Sequence, residues 1–232
     1  MLVREGTMLR SLKGTYGYDI VPLDDTKTGE VDDYYFDDES ARIRYLVLGT
    51  GPWLFGKQVL ISPVALGKPD WKTQTLVVPL TKEQIQNSPD IDLAKPVTRQ
   101  TEGRLHRYYG WPVDWGFPRR DGDTHLRSSK EVIGYHVQAR DGEIGHLEDL
   151  IVDDDVWLIR YLVIDTRNWL PGKKVLISPT WLDEVSWLER KLYVDHLRQE
   201  IRESPEYDAA APVNREYEEK LYDYYGRPRY WV

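Results

Sequence analysis

The chain has 232 residues, of which 41% are hydrophobic and 30% charged, so it is long enough for one large or two small globular domains and too apolar for a disordered protein. It contains no Cys, which excludes disulfides, thiolate metal sites and cysteine nucleophiles. The net charge of -8 argues against broad binding to nucleic acid by direct contact, because phosphate affinity comes from clustered Lys and Arg. No stretch reaches the roughly 18 apolar residues of a membrane span, and the N-terminus has no apolar segment typical of a signal peptide. We therefore expect a cytoplasmic protein that does not insert into membranes.

The predicted elements of the first half are mostly strands. Runs rich in β-branched and aromatic residues, separated by Gly, Pro and Asp turns, predict strands over residues 17–23, 30–37, 43–50, 57–62 and 75–78. In the third of these strands both faces are apolar, which indicates that one face fills a small barrel and the other packs under a helix or against a second unit. Several short strands with so little helix favour a small closed barrel or a sandwich.

The turn between the third and fourth strands carries the pattern Trp-Leu-x-Gly-Lys, with Trp53 and Lys57 at its ends. Trp suits half-buried positions at interfaces, since its ring is apolar and its N–H is polar. Lys57, in a turn, can meet a carboxylate or a phosphate of a partner. Two alternatives stay open: Trp53 closes the end of its own barrel, and Lys57 is an ordinary exposed turn residue.

Helices are predicted only after the last strand. Thr81 and Gln84 have the spacing of a capping box, which predicts a short helix that starts there. A longer helix is predicted over residues 98–110, where Leu105 lies on the apolar face and Gly110 ends the helix.

Almost the whole pattern returns after 116 residues: residues 43–63 (IRYLVLGTGPWLFGKQVLISP) reappear as residues 159–179 (IRYLVIDTRNWLPGKKVLISP). The repeat extends to the end of the chain, where Asn214 is predicted to cap the second copy of the long helix. We therefore predict two similar units, residues 8–116 and 121–232, each a small β-barrel with a helical and aromatic tail. The candidate binding residues of the two turns are Trp53, Lys57, Trp169 and Lys173.

The comparison of the repeats argues against a catalytic or metal site. Each His of the second unit aligns with a different residue in the first, the acidic turns lack EF-hand spacing, and the repeated Ser-Pro pairs lack an adjacent base. One alternative is that His136 and His146 approach each other across paired strands and hold a metal. We expect no enzyme activity, no cofactor and no metal.

Two mid-strand arginines require partners because their neighbours are apolar. Arg44 and Arg160 occupy equivalent positions of the repeat. We expect each to pair with an Asp of an adjacent strand, such as Asp33 or Asp149.

The order of these motifs resembles the PRC-barrel family. The resemblance rests on Gly-x-hydrophobic-x-Asp, then Ile-Arg-Tyr-Leu-Val, then Gly-Lys-x-Val-Leu-Ile-Ser-Pro, and it occurs twice in register, most strongly over residues 29–63 and 145–179. The family is named for the cytoplasmic barrel of the photosynthetic reaction centre H subunit, and it includes the C-terminal domain of the ribosome maturation factor. The H subunit's membrane helix and the maturation factor's preceding barrel have no counterpart here.

The resemblance and the residues together imply a non-enzymatic scaffold or interaction module. Such a module would bind a protein partner or a second copy of itself. Two alternatives follow from the family: an RNA-processing or ribosome-assembly adaptor, and an accessory protein related to bacterial photosynthetic reaction centres.

Overall fold

The computed structural model describes residues 9–24, 27–67, 69–93, 95–112, 125–166, 173–211 and 213–231. In these residues the strands, in chain order, are β1 (Leu9–Ser11), β2 (Asp19–Pro22), β3 (Gly29–Asp37), β4 (Ile43–Gly49), β5 (Gln58–Ile61), β6 (Thr75–Val78), β7 (Leu126–Ser128), β8 (His136–Ala139), β9 (Gly142–Asp153), β10 (Leu158–Asp165), β11 (Lys174–Ile177), β12 (Leu182–Ser186) and β13 (Lys191–Val194). The α-helices are α1 (Lys82–Gln86), α2 (Arg99–Tyr109), α3 (Ser129–Val132), α4 (Arg198–Glu203) and α5 (Arg215–Tyr225). The prediction of a mainly β fold with short helices is confirmed.

The chain divides into two compact units. The continuous unit is Thr15–Lys130, and the split unit combines Met1–Gly14 with Glu131–Val232. Their edges differ from the boundaries of the sequence repeat, residues 8–116 and 121–232. The reason is that β1, the first strand of repeat one, belongs to the split unit, and β7, the first strand of repeat two, belongs to the continuous unit.

The continuous unit contains one sheet with the strand order β5-β4-β3-β2-β6, and β7 pairs with β3. All neighbours are antiparallel except β2 and β6, which are parallel. The split unit has the equivalent order β11-β10-β9-β8-β13-β12, and β1 pairs with β9. Within the described residues the first and last strands of each sheet do not pair with each other. Each sheet is therefore open, whereas the sequence favours a closed barrel or a sandwich.

One glycine in each repeat allows the long strand to lie close to its neighbour. A Cβ on Gly29 would lie 2.3 Å from the Gly49 carbonyl oxygen, and a Cβ on Gly145 would lie 1.9 Å from the Asp165 carbonyl oxygen. These distances are below any real Cβ contact, so both positions require Gly. Both repeats therefore require a residue without a side chain where the long strand meets its antiparallel neighbour.

The core of the continuous unit forms where β4 packs under α2. Tyr45 and Val47 of β4 cluster with Leu105 of α2 and with Val97, just before that helix. Their β4 neighbours Leu46 and Leu48 are also buried, so both faces of the strand are covered, as the sequence predicts. Thr81 forms the predicted capping box of α1, and the side chains of Thr98 and Asn214 cap α2 and α5. No helix among the described residues combines the length and the apolar character of a membrane span.

The exchanged strands are held by a carboxylate in each unit, buried Asp33 in the continuous unit and half-buried Asp149 in the split unit. In the split unit, Ser11 Oγ of β1 donates to Asp149 Oδ2 of β9 at 2.5 Å, and the backbone N–H of Lys13 donates to Asp149 Oδ1 at 3.0 Å. Burial raises the pKa of the Asp149 carboxyl. The hydrogen bonds from Ser11 and Lys13 lower it, but by less. We call this arrangement of a Ser hydroxyl, a backbone N–H and an Asp a strand clasp.

The continuous unit contains an equivalent strand clasp. Ser128 Oγ of β7 donates to Asp33 Oδ2 of β3 at 2.5 Å, and the Lys130 N–H donates to Asp33 Oδ1 at 3.0 Å. Ser129 adds a third hydrogen bond to Asp33, at 2.7 Å. Asp33 and Asp149 occupy equivalent positions of the repeat, so both repeats bind a strand through the same carboxylate.

The strand exchange predicts how fragments of the chain behave. Residues 15–130 contain both β3 and β7, and we expect this fragment to fold alone as a monomer. Residues 8–116 lack β7 but keep β1, so residues 35–37 of β3 stay unpaired unless a second copy supplies its β1. We expect this second fragment to be a dimer. Light scattering with size-exclusion chromatography distinguishes the two, and a stable monomer of residues 8–116 would contradict the prediction.

Candidate binding site

The turn between β4 and β5, residues 51–57, is a compact structure in the continuous unit. Gly51–Leu54 forms one turn of 3-10 helix, and Phe55 follows it with a left-handed backbone at φ 53°. Thr50 Oγ1 donates to the Lys57 carbonyl at 2.6 Å and so joins the two ends of the turn. We call residues 51–57 the Trp53 turn.

Trp53 is tied to the start of β3. Its indole Nε1–H donates to the carbonyl of Thr28, and the ammonium group of Lys82 lies 5.1 Å from the centre of its ring. The side chain remains partly exposed. The turn therefore has a fixed position on the sheet, and part of the indole surface is still accessible.

Phe55 is the most exposed large hydrophobic side chain in this region, with 99% of its surface accessible. A positive φ is uncommon for a residue other than Gly, and it is held here by the backbone of the turn, where Phe55 N–H donates to the Pro52 carbonyl at 3.2 Å. The equivalent position of the second repeat is Pro171, which lies outside the described residues. A Phe at this position is therefore specific to the sequence of the first repeat.

A cavity of about 730 Å³ lies beside the Trp53 turn. Its lining includes the following side chains: Tyr16, Lys27, Glu30, Asp32, Trp53 and Lys130. The two lysines are paired, Lys27 Nζ with Asp19 at 2.7 Å and Lys130 Nζ with Asp32 at 2.5 Å. The cavity is within the size range of ligand sites, and it combines aromatic surface with neutralised ion pairs.

The lysines of the predicted site bind the ends of helices in their own units. Lys57 Nζ donates to the Ser88 carbonyl at 2.6 Å and to the Gln86 carbonyl at 3.3 Å, at the C-terminus of α1. Lys173 Nζ makes the equivalent bond to the Ser204 carbonyl at 2.6 Å, just after α4. Terminal carbonyls of a helix lack partners within the helix and carry partial negative charge, so an ammonium group is a favourable cap.

A partner of either lysine would compete with these carbonyls. Burial lowers the pKa of Lys173, which accords with an ammonium group partly withdrawn from water. Trp169, the fourth predicted residue, lies outside the described residues. The binding role of the four residues stays a prediction, and the geometry favours Trp53 for it over the two lysines.

Arg160 pairs with an Asp of the adjacent strand, as predicted, but the residue is Asp153 and not Asp149. Arg160 Nη2 pairs with Asp153 at the end of β9, at 2.9 Å, and its guanidinium lies 4.0 Å from the ring centre of Tyr230. Asp149 is instead occupied by the strand clasp, as is Asp33 in the continuous unit. The sequence could not show this, because the hydroxyl donors come from the other repeat.

His136 and His146 do lie opposite each other on β8 and β9. His136 Nδ1 lies 3.1 Å from a carboxylate oxygen of Glu143. Among the residues that the structure describes, no group of three or more His, Asp or Glu side chains is placed to hold a metal ion. The expectations of no metal and no enzyme activity stay predictions.

Sequence reasoning missed a buried hydroxyl–carboxyl pair under each long helix. Tyr45 Oη donates to Glu102 of α2 at 2.9 Å, and Tyr161 Oη donates to Glu218 of α5 at 2.7 Å. Burial raises the pKa of both phenols above the usual range, so they remain protonated donors. The signal was present, because a Glu recurs at the same helix position of both repeats, one turn before the buried Leu.

Comparison with known proteins identifies a protein family that matches this chain. The sequence profile of the PRC-barrel domain matches residues 15–85 and 125–201, well over half of the chain. A search among curated proteins finds no match.

The helix-capping lysines predict a measurable loss of stability. We expect Lys57→Met to lower the free energy of unfolding by about 1 kcal/mol, because two carbonyls at the end of α1 lose a charged donor. Lys95→Met is the matched control, since Lys95 is largely exposed beside Asp92 and should change stability by less than about 0.5 kcal/mol. Urea denaturation measures both, and equal effects would contradict the capping role.

The buried phenol of β4 predicts a larger loss. Tyr45→Phe removes the hydroxyl that donates to Glu102 and lies 2.9 Å from His106 Nε2. We therefore expect the free energy of unfolding to fall by about 1–3 kcal/mol. The control is Tyr108→Phe, which removes an exposed hydroxyl that donates to the Gln84 carbonyl. A Tyr45→Phe variant as stable as that control would show that the buried pair contributes nothing.

Proposed function

Because the chain belongs to the PRC-barrel family, we propose that it is a non-enzymatic interaction module that binds a protein partner through the Trp53 turn. The observation that carries the proposal is the combination of a fully exposed Phe55 with a partly exposed Trp53 on one rigid turn. Interfaces concentrate their binding energy in a few aromatic anchors of this kind.

The rigidity of the turn supports this function. Trp53 is fixed by its hydrogen bond to Thr28, and the backbone of Phe55 is fixed by the turn. A turn whose backbone is already held in place loses little conformational entropy when a partner covers it. The exposed Phe therefore offers apolar surface whose burial would favour binding.

A protein partner fits the charges of this region better than RNA does. The two lysines of the cavity, Lys27 and Lys130, are already paired with carboxylates, and Lys57 is bound to helix carbonyls. Phosphate affinity requires cations that can exchange their counterions for the backbone of the nucleic acid. The ribosome-assembly role is therefore proposed only in the form of contact with a protein, and the reaction-centre role rests on the family alone.

The test is a cross-linking pull-down from the native cell with the full chain. We expect Phe55→Ser to abolish capture of a partner while the free energy of unfolding stays within about 0.5 kcal/mol of the original, because the side chain contacts mostly water. The matched control is Leu188→Ser, which removes a 95% exposed apolar side chain from the split unit.

Nuclease treatment separates the two classes of partner. A partner that is retained after nuclease treatment and lost with Phe55→Ser supports the proposal. Capture that is lost after nuclease, or that survives Phe55→Ser, would contradict it.

A further inference from the structure

The two donor strands of the strand clasps have the same sequence. β1 reads Leu9-Arg10-Ser11 and β7 reads Leu126-Arg127-Ser128. In each case the Ser hydroxyl donates to the Asp carboxylate at 2.5 Å. The clasp thus selects a short segment by its side chains, in addition to the backbone pairing that any strand could offer.

The arginines of the donor strands add a second point of recognition. Arg127 Nε donates to Asp38 Oδ2 at 2.9 Å, and Arg10 Nε lies 3.9 Å from the equivalent carboxylate, Asp154 Oδ2. Each acceptor edge therefore presents two carboxylates, one for a hydroxyl and one for a guanidinium, at equivalent positions of the repeat.

The acceptor edge of the split unit requires a donor strand. Without β1, Asp149 would lose the Ser11 hydroxyl and the Lys13 N–H, and residues 151–153 of β9 would lose their partners on that side. An unpaired strand edge presents a row of free backbone N–H and C=O groups, which readily pair with another strand. Any segment with the right sequence can therefore take the place of β1 at this edge.

We propose that the chain self-associates by exchanging β1, so that Leu9–Ser11 of one copy occupies the clasp of Asp149 in a second copy. In the single chain, β1 is covalently joined to the continuous unit and reaches the rest of the split unit only through residues 15–130. The clasp makes the same contacts whichever copy supplies the strand. Only effective concentration then distinguishes the two arrangements, so the exchanged form increases with protein concentration. The inference is independent of the Trp53 turn.

Two single substitutions test this exchange through complementation. Ser11→Ala spoils the donor strand and leaves Asp149 without its hydroxyl, and Asp149→Ala spoils the acceptor and leaves Ser11 without its carboxylate. In a mixed pair, one clasp is intact and the other has lost both polar groups, which is far less costly than losing one of them. The mixed pair is therefore the only association in which neither Ser11 nor Asp149 is left without the other.

The measurement is native mass spectrometry of the full-length chains after they are unfolded and refolded together, one of them labelled with ¹⁵N. For an equal mixture, random pairing gives as many mixed dimers as homodimers of both kinds together, and we expect that ratio to rise by roughly tenfold in favour of the mixed dimers. The control partner for Asp149→Ala is Ser40→Ala, which removes a Ser hydroxyl that donates to Asp37 outside the clasp. No enrichment is expected for that mixture.

A second readout covers the case in which Asp149→Ala does not refold. The chain has no Cys, so an Arg10→Cys, Val152→Cys double variant contains only two thiols, at directly opposed positions of β1 and β9, and it keeps Ser11 and Asp149. After refolding and oxidation, disulfide-linked dimers should increase with the protein concentration during refolding. Mixed dimers at their statistical share, or disulfides that form only within single chains at every concentration, would overturn the proposal.

Discussion

The carboxylates of Asp33 and Asp149 determine how this chain is divided. Each lies on the long strand of one repeat, and each accepts hydrogen bonds from a hydroxyl and a backbone N–H that come from the other repeat. A carboxylate that is withdrawn from water, wholly or in part, destabilises its unit when it lacks donors, so neither repeat is complete by itself. The compact units are therefore set by hydrogen-bond satisfaction as well as by the hydrophobic core, and their edges differ from those of the repeat.

Much of the fold could be predicted from the sequence, for identifiable reasons. The positions of β2 to β6 followed from short apolar runs between turn residues, α1 followed from the capping box that starts at Thr81, and α2 followed from its apolar face and from Gly110. β1 and β7 were missed because three residues carry too little pattern to indicate a strand. Even once recognised, their sequence does not say which of two equivalent edges they join, since both edges carry the same carboxylates.

The candidate site was predictable to a similar degree. The Trp-Leu-x-Gly-Lys pattern located a turn with a partly exposed Trp, but the reach of Lys57 to the Ser88 carbonyl could not be read from spacing, because it depends on where α1 packs. Phe55 was not among the predicted binding residues, because the repeat has Pro171 there and the predicted residues were those that recur. Repeats reveal what the fold needs in both units, whereas a feature acquired by one unit alone is visible only in the structure.

The split unit has a consequence for the synthesis of the protein. Ser11 and Asp153 are separated by 142 residues, the difference of their numbers, and at about 5–20 residues per second a ribosome needs roughly 7–28 s to make that stretch. During this interval Leu9–Ser11 has left the ribosome, while the edge that it will pair with has not yet been made. The continuous unit is complete at Lys130, so it can fold before the split unit has its acceptor strand. The first strand to be translated is thus among the last to reach its native position.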